Sequence, residues 1–244
     1  MDSHYRLPIS MLKHSRRYLT VLDSTGYSGY NTDFYLQLEL EDLQNVTLVT
    51  IFFGANDAAL PEIGAHQHVP LDRFEANLTR IVDLVRTKYD NPRILLVAPP
   101  PVVHAQRLEY QRKRYGDRAT GILERTLENT GLYAKACMQV AESMGVPCLN
   151  MYGEMQAVDS WDHYFHDGLH FSPEGHEFVF NALRSSIQTH FPDLVVVPDA
   201  LTGFWANSGS SCQALSEQGP FHDRVNHETL EESFDEYKAS LSQS

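Results

Sequence analysis

Nearly unbroken apolar runs at residues 18–22 (YLTVL), 46–53 (VTLVTIFF), 93–98 (RILLVA) and 146–151 (VPCLNM) alternate with stretches in which apolar residues recur every three or four positions. A half-exposed strand would alternate apolar with polar side chains, so the unbroken runs predict strands buried on both faces. Strands of that kind interleaved with helices are the pattern of an α/β domain built on a parallel sheet. Between the second and third runs, Asp72 and Glu75 have the spacing of a capping box. Phe74, Leu78, Ile81, Val82 and Val85 follow at helical intervals. A second helix is predicted from about Thr126 to Met144, stopped by Gly145 and Pro147. A third starts at Ser172-Pro173, a serine cap with proline in the first turn. It carries Val179, Phe180, Leu183 and Ile187 on one face and ends near Phe191-Pro192.

Composition changes the picture at the end of the chain. From residue 198 onward Ser, Gly, Asn, Gln, Glu and Asp dominate, so residues 1–197 are expected to form one domain. Residues 198–244 are expected to be a disordered or loosely docked tail, with a short acidic helix around 228–241. Residues 107–118 (RLEYQRKRYGDR) form the one basic cluster, read as a solvated helix face or a lid. The formal charge of −13 argues against nucleic acid or an anionic membrane as partner and leaves a small neutral substrate as the simplest fit. No run approaches the ~20 apolar residues of a membrane helix, and no apolar stretch follows the basic start, so a cytoplasmic protein without a secretory signal is expected. Cys137, Cys148 and Cys212 are odd in number and lack metal-type spacing, which fits free thiols in a reducing compartment.

Two stretches carry chemistry. GAND, residues 54–57, directly follows a strand, where ligand sites of parallel sheets lie. The Asn56 amide at that place can donate to an oxyanion, although Gly, Asn and Asp also make ordinary turns. DGLHFSPEGH, residues 167–176, sets Asp167 three residues before His170, so the carboxylate can hold one imidazole nitrogen and leave the other as a general base. His163, His166 and His170 with Asp162 and Asp167 also suggest a metal-binding hydrolase. The cluster lacks the paired histidines and intervening glutamate of a zinc-protease helix, and no metal or other cofactor is expected.

Taken together, GAND and DGLH resemble blocks III and V of the SGNH, or GDSL, hydrolase family. GYSGYNT (residues 26–32) resembles its block II, and APPPV (residues 98–102) resembles the subgroup of isoamyl acetate-hydrolysing esterases. The resemblance spans roughly residues 18–192 and implies a flavodoxin-like three-layer α/β/α sandwich hydrolysing short-chain, acetate-like esters. It further implies that Gly29 and Asn56 form the oxyanion hole, that His170 is general base and then acid, and that Asp167 orients His170.

Block I, the strand that carries the nucleophilic serine, has no counterpart of the same kind. Ser24, in LDST, is separated from Gly29 by four residues, too few for the helix and strand that the family places between them. Ser3, in MDSH, keeps an Asp-Ser pair but has no strand before it. The expectation is therefore a chain lacking the central first strand and its serine. Such a chain would be an inactive, binding or interaction descendant of the family. The strands at 18–22 and 46–53 would then flank a gap of two strand spacings, roughly 9.6 Å. Such a sheet should be unstable, aggregate, or recruit another segment into the gap.

Overall fold

The predicted runs become strands of one sheet in the computed structural model, which describes residues 9–15, 18–25, 28–38, 40, 43, 46–194, 225–226 and 228–241. The strands are β1 (Ile9–Ser15), β2 (Tyr18–Thr25), β3 (Val46–Phe52), β4 (Arg93–Val97) and β5 (Cys148–Leu149), in the spatial order β2-β1-β3-β4-β5. Strands β3, β4 and β5 are parallel, with Leu48 opposite Arg93 and Leu96 opposite Cys148.

The expected gap is filled. Strand β1 lies between β2 and β3 and runs antiparallel to both, with Met11 opposite Asp23 on one side and Val49 on the other. The apolar pattern does not mark this strand because ISMLKHS mixes polar and apolar residues. A strand edge recruits backbone donors and acceptors whatever side chains they carry. Strand β2 consequently runs parallel to β3, and β1 begins, rather than ends, at their carboxyl edge. Ser24 lies in β2, paired with Ser10. Ser3 lies outside the described residues.

Helices cover both faces. The described helices are α1 (Thr32–Tyr35), α2 (Pro61–Gly64), α3 (Leu71–Lys88), α4 (His104–Tyr115), α5 (Leu127–Met144), α6 (Met151–Gln156), α7 (Pro173–His190) and α8 (Leu230–Leu241). On one face, Val49, Ile51, Ile94 and Leu96 pack with Phe74, Leu78 and Ile81 of α3 and with Tyr133, Cys137 and Val140 of α5. On the other, Leu48, Leu95, Val97 and Leu149 pack with Met151 and Met155 of α6 and with Val179 and Ile187 of α7. Successive side chains of β3 and β4 thus enter opposite cores, which is why their sequences are apolar without alternation.

Local signals mostly act as their chemistry dictates. The Thr126 hydroxyl accepts from the Asn129 N–H at the start of α5, Gly145 ends that helix in the left-handed region, and the Ser172 hydroxyl accepts from the Gly175 N–H at the start of α7. Two expectations need correction. The capping box at Asp72 and Glu75 does not form, because α3 starts two residues earlier, at Leu71 behind Pro70, and the Asp72 carboxylate accepts from the adjacent Arg73 N–H instead. The strand expected at 146–151 shrinks to two residues, since Pro147 has no N–H to give and the Asn150 side chain already caps α6 by accepting from Gly153.

In the C-terminal region, residues 230–241 are helical, and Val225 and Phe234 are buried against Tyr30 and Phe34. Cys137 and Cys148 are free thiols with sulfurs 4.0 Å apart, and Cys212 is outside the described residues. Among the described residues no helix is long and apolar enough to cross a membrane.

Candidate active site

At the carboxyl edge of the sheet, GAND follows β3 and meets the prolines that follow β4. A Cβ on Gly54 would stand 2.8 Å from the Pro99 Cγ, so only glycine allows the two strand ends this approach. The segment does turn, with the Ala58 N–H donating to the Gly54 carbonyl, but the Asn56 side chain is spent elsewhere. Its amide NH2 donates to the Tyr30 carbonyl over 2.8 Å, and its Oδ1 accepts from Arg125 over 2.9 Å. Asn56 is thereby joined to the loop holding Gly29. The carbonyl of Gly29 accepts from the Gln67 amide at 2.8 Å, and the Asn31 side chain caps α1 while donating to the Gln67 carbonyl.

Asp57, the last residue of GAND, is fully buried and ties the same two segments together. Its Oδ1 accepts from the Thr32 N–H and hydroxyl, and its Oδ2 accepts from the Gly54 N–H. Burial pushes its carboxyl up to about 6, against the lowering effect of the Thr32 and Gly54 hydrogen bonds. A carboxyl raised in this way holds its proton more tightly folded than unfolded. Its contribution to stability is therefore complete below pH about 4 and is lost as pH rises through about 6. Relative to Asp57→Asn, which removes the titration, the protein should lose on the order of 3 kcal/mol of unfolding free energy between pH 4 and 7. Denaturant titrations at the two pH values measure this, and equal changes in both proteins would refute it.

The second stretch lies between Phe165 and Phe171, which bridge across a small turn. His170 Nδ1 is 2.7 Å from Asp167 Oδ2, and the Asp167 Oδ1 accepts the backbone N–H groups of Leu169 and His170. The Arg107 guanidinium donates to Oδ2 at 3.2 Å. The imidazole is about half exposed, whereas the carboxylate is buried. Burial works to raise the Asp167 carboxyl, but the hydrogen bond and charge of His170 and the two backbone donors outweigh it and hold the carboxyl well below the usual range. Gly168 has φ +82°, and a Cβ there would stand 2.4 Å from the Val103 carbonyl oxygen and 2.7 Å from the Arg107 nitrogen. DGLH is thus seated directly on the start of α4.

His163 does not join the others, since its Nδ1 is 2.6 Å from the Ser160 carbonyl. His166, Asp167 and His170 do offer ligand atoms within 4.8 Å of one another. His163 lies outside this group, and both oxygens of Asp167 already accept from N–H donors, one of them on cationic Arg107.

The pattern of the sequence missed the groups behind these residues. Arg107 and Gln111 of the basic cluster point inward from α4, while Arg112, Lys113 and Arg114 are exposed. Arg107 pairs closely with Glu124, which also stands 3.5 Å from the guanidinium of Arg125. Arg125 is almost wholly buried, and burial pushes it down to about 10, with Glu124 pulling it back, so it stays charged at neutral pH. Only a Glu-Arg pair just before the Thr126 cap marks this in the sequence, and nothing in its spacing separates it from a surface pair.

Comparison with known proteins bears on the family and the fold. Residues 10–178 match the GDSL-like lipase/acylhydrolase family. An isoamyl acetate-hydrolyzing esterase 1 homolog of Bos taurus is 40% identical over 80% of this chain and 78% of its own length. The isoamyl acetate-hydrolyzing esterase of Saccharomyces cerevisiae is 30% identical over 77% of each chain. Among solved structures, the lipase/acylhydrolase from Enterococcus faecalis superimposes with a TM-score of 0.51 at 22% identity, covering 66% of this chain and 72% of that one, a likeness of fold. With a sheet flanked by helices on both faces and these relatives, the chain belongs to the GDSL-like lipase/acylhydrolase family, as an SGNH hydrolase of the subgroup that contains the isoamyl acetate-hydrolysing esterases.

Proposed function

We propose that the protein is a carboxylic ester hydrolase acting on small, neutral, short-chain esters such as acetates by serine acyl transfer. The observation that carries this reading is the 2.7 Å contact of His170 Nδ1 with the buried Asp167 carboxylate, in a chain whose relatives are named as esterases. In the reaction, Asp167 keeps the proton on Nδ1, and His170 Nε2 takes the proton of a serine hydroxyl. The alkoxide adds to the ester carbonyl. The Gly29 N–H and the second hydrogen of the Asn56 amide stabilise the oxyanion, each donor being worth about 3 kcal/mol of barrier. His170 then returns the proton to the leaving alcohol, and water, activated the same way, releases the acid.

A second reading is favoured by the direction of β1. In the family's pattern a strand ends at the carboxyl edge and delivers the serine, whereas here the strand in that position begins there. The site would then bind esters without cleaving them. A fluorophosphonate probe, with label mapped by peptide mass, decides between the two. Label on Ser3 or Ser24 that disappears in His170→Ala supports hydrolysis and names the nucleophile. A folded protein that takes no label overturns hydrolysis in favour of the vacated site.

A further inference from the structure

The two elements assigned to the oxyanion hole follow different strands, β2 and β3, and the Asn56 donor is a side-chain amide whose facing its own backbone does not set. One buried side chain touches the supports of both. Arg125 Nη2 donates to the Asn56 Oδ1 at 2.9 Å and to the Gln67 Oε1 at 2.6 Å, while its Nε donates to the Ala55 carbonyl at 2.7 Å. Gln67 passes the restraint on, because its other amide atom donates to the Gly29 carbonyl. We propose that Arg125 is a positioning residue that sets the facing of both oxyanion donors, Asn56 directly and Gly29 through Gln67; this rests on the ester-hydrolase reading above.

The physical argument turns on the two-fold ambiguity of an amide. Rotation of the Asn56 side chain by half a turn exchanges its oxygen and its NH2, and either can occupy the same space. Only one facing presents a donor to an oxyanion. Arg125 has donors and no acceptor, so it accepts only the facing in which Oδ1 points at the guanidinium and the NH2 points to the Tyr30 carbonyl. Gln67 is sorted by the same rule: its Oε1 meets Arg125, and its NH2 is left for the Gly29 carbonyl. A charged donor also draws electron density from both amides and strengthens what their NH2 groups give.

The placement of Arg125 joins the two halves of the site. Glu124 lies between Arg125 and Arg107, and Arg107 donates to Asp167, the partner of His170. A line of alternating charges therefore runs from Arg125, on the amide of Asn56, to the imidazole. Its oxyanion end is the part for which Arg125 is responsible.

The test uses the full chain labelled with nitrogen-15 and the variants Arg125→Met and Arg125→Lys, the second keeping the buried charge in case the first does not fold. In the parent protein the Asn56 side-chain amide should give two distinct, slowly exchanging proton signals. In either variant these should shift, and their exchange should quicken at least ten-fold, while the backbone amides of α3 and α5 stay protected. Unchanged Asn56 signals would overturn the proposal, and this arm needs no turnover. On an acetate ester, Arg125→Met should lower kcat at least thirty-fold with KM within about two-fold. In an Asn56→Ala background the same substitution should cost less than five-fold. An equal cost in both backgrounds would reduce Arg125 to a structural residue. A parent protein with the expected amide signals and no turnover would instead count against the hydrolase reading alone.

Discussion

Asp167→Asn should lower kcat for a short-chain ester by about 10³ to 10⁴-fold while leaving KM nearly unchanged. The cause is tautomeric. A carboxylate can only accept, so it keeps the proton of His170 on Nδ1 and leaves Nε2 bare, which the proposed mechanism needs for the serine proton. An asparagine can turn its NH2 toward Nδ1, which then becomes the acceptor, and the proton moves to the nitrogen that should be the base. The Leu169 and His170 backbone N–H groups, which donate to the other carboxylate oxygen, hold the amide oxygen on their own side and so turn the NH2 toward the ring. Steady-state kinetics measures the loss, and nitrogen-15 shifts of the His170 ring report the tautomer. A loss below ten-fold with the ring tautomer inverted would show that Nε2 is not the base.

Gly168→Ala should cost at least about 3 kcal/mol of stability and abolish esterase turnover together with it. Left-handed backbone alone would cost a non-glycine residue about 1 kcal/mol. The larger figure comes from the new methyl group, which would lie 2.4 Å from the Val103 oxygen and 2.7 Å from the Arg107 nitrogen. Neither atom can yield easily, because both belong to the first turn of α4, and Val103 already donates its N–H to the Gly168 carbonyl. Relief of the clash must push the Asp167–His170 loop off that turn and take Asp167 away from Arg107. Chemical denaturation gives the stability change, and a loss of 1 kcal/mol or less would mean that the loop is looser than the contact distances imply.

Which parts of this molecule could be read from its sequence follows from what each part needs. Strands buried on both faces and amphipathic helices leave a periodic trace, so β3, β4, α3, α5 and α7 were legible. The cap at Ser172 was legible because a hydroxyl at that place has one obvious partner. GAND and DGLH could be placed because Asn56, Asp167 and His170 act within or next to their own short segments, and the resemblance gave them an order along the chain. Strand β1 was not legible: it is held by backbone hydrogen bonds between β2 and β3, and such bonds carry no side-chain pattern. Arg125, Glu124, Gln67 and Arg107 were hidden for another reason. Each matters through a partner far off in the chain, such as Asn56 for Arg125 or Asp167 for Arg107, and a charged residue bound for the interior is written with the same letters as one bound for water.

The docking of α8 on the loop that holds Gly29 has a thermodynamic consequence. Tyr30 offers its carbonyl to Asn56 and its ring to Phe234, with ring centroids 6.3 Å apart, so one residue belongs both to the cleft and to the C-terminal region. Coupling between two binding events is reciprocal. Whatever occupies the cleft and steadies Tyr30 must tighten the hold on α8 by the same factor by which α8 improves the cleft. A protein that peels α8 away would therefore weaken binding at Tyr30's side of the site, and a ligand bound there would loosen that protein's hold without touching it.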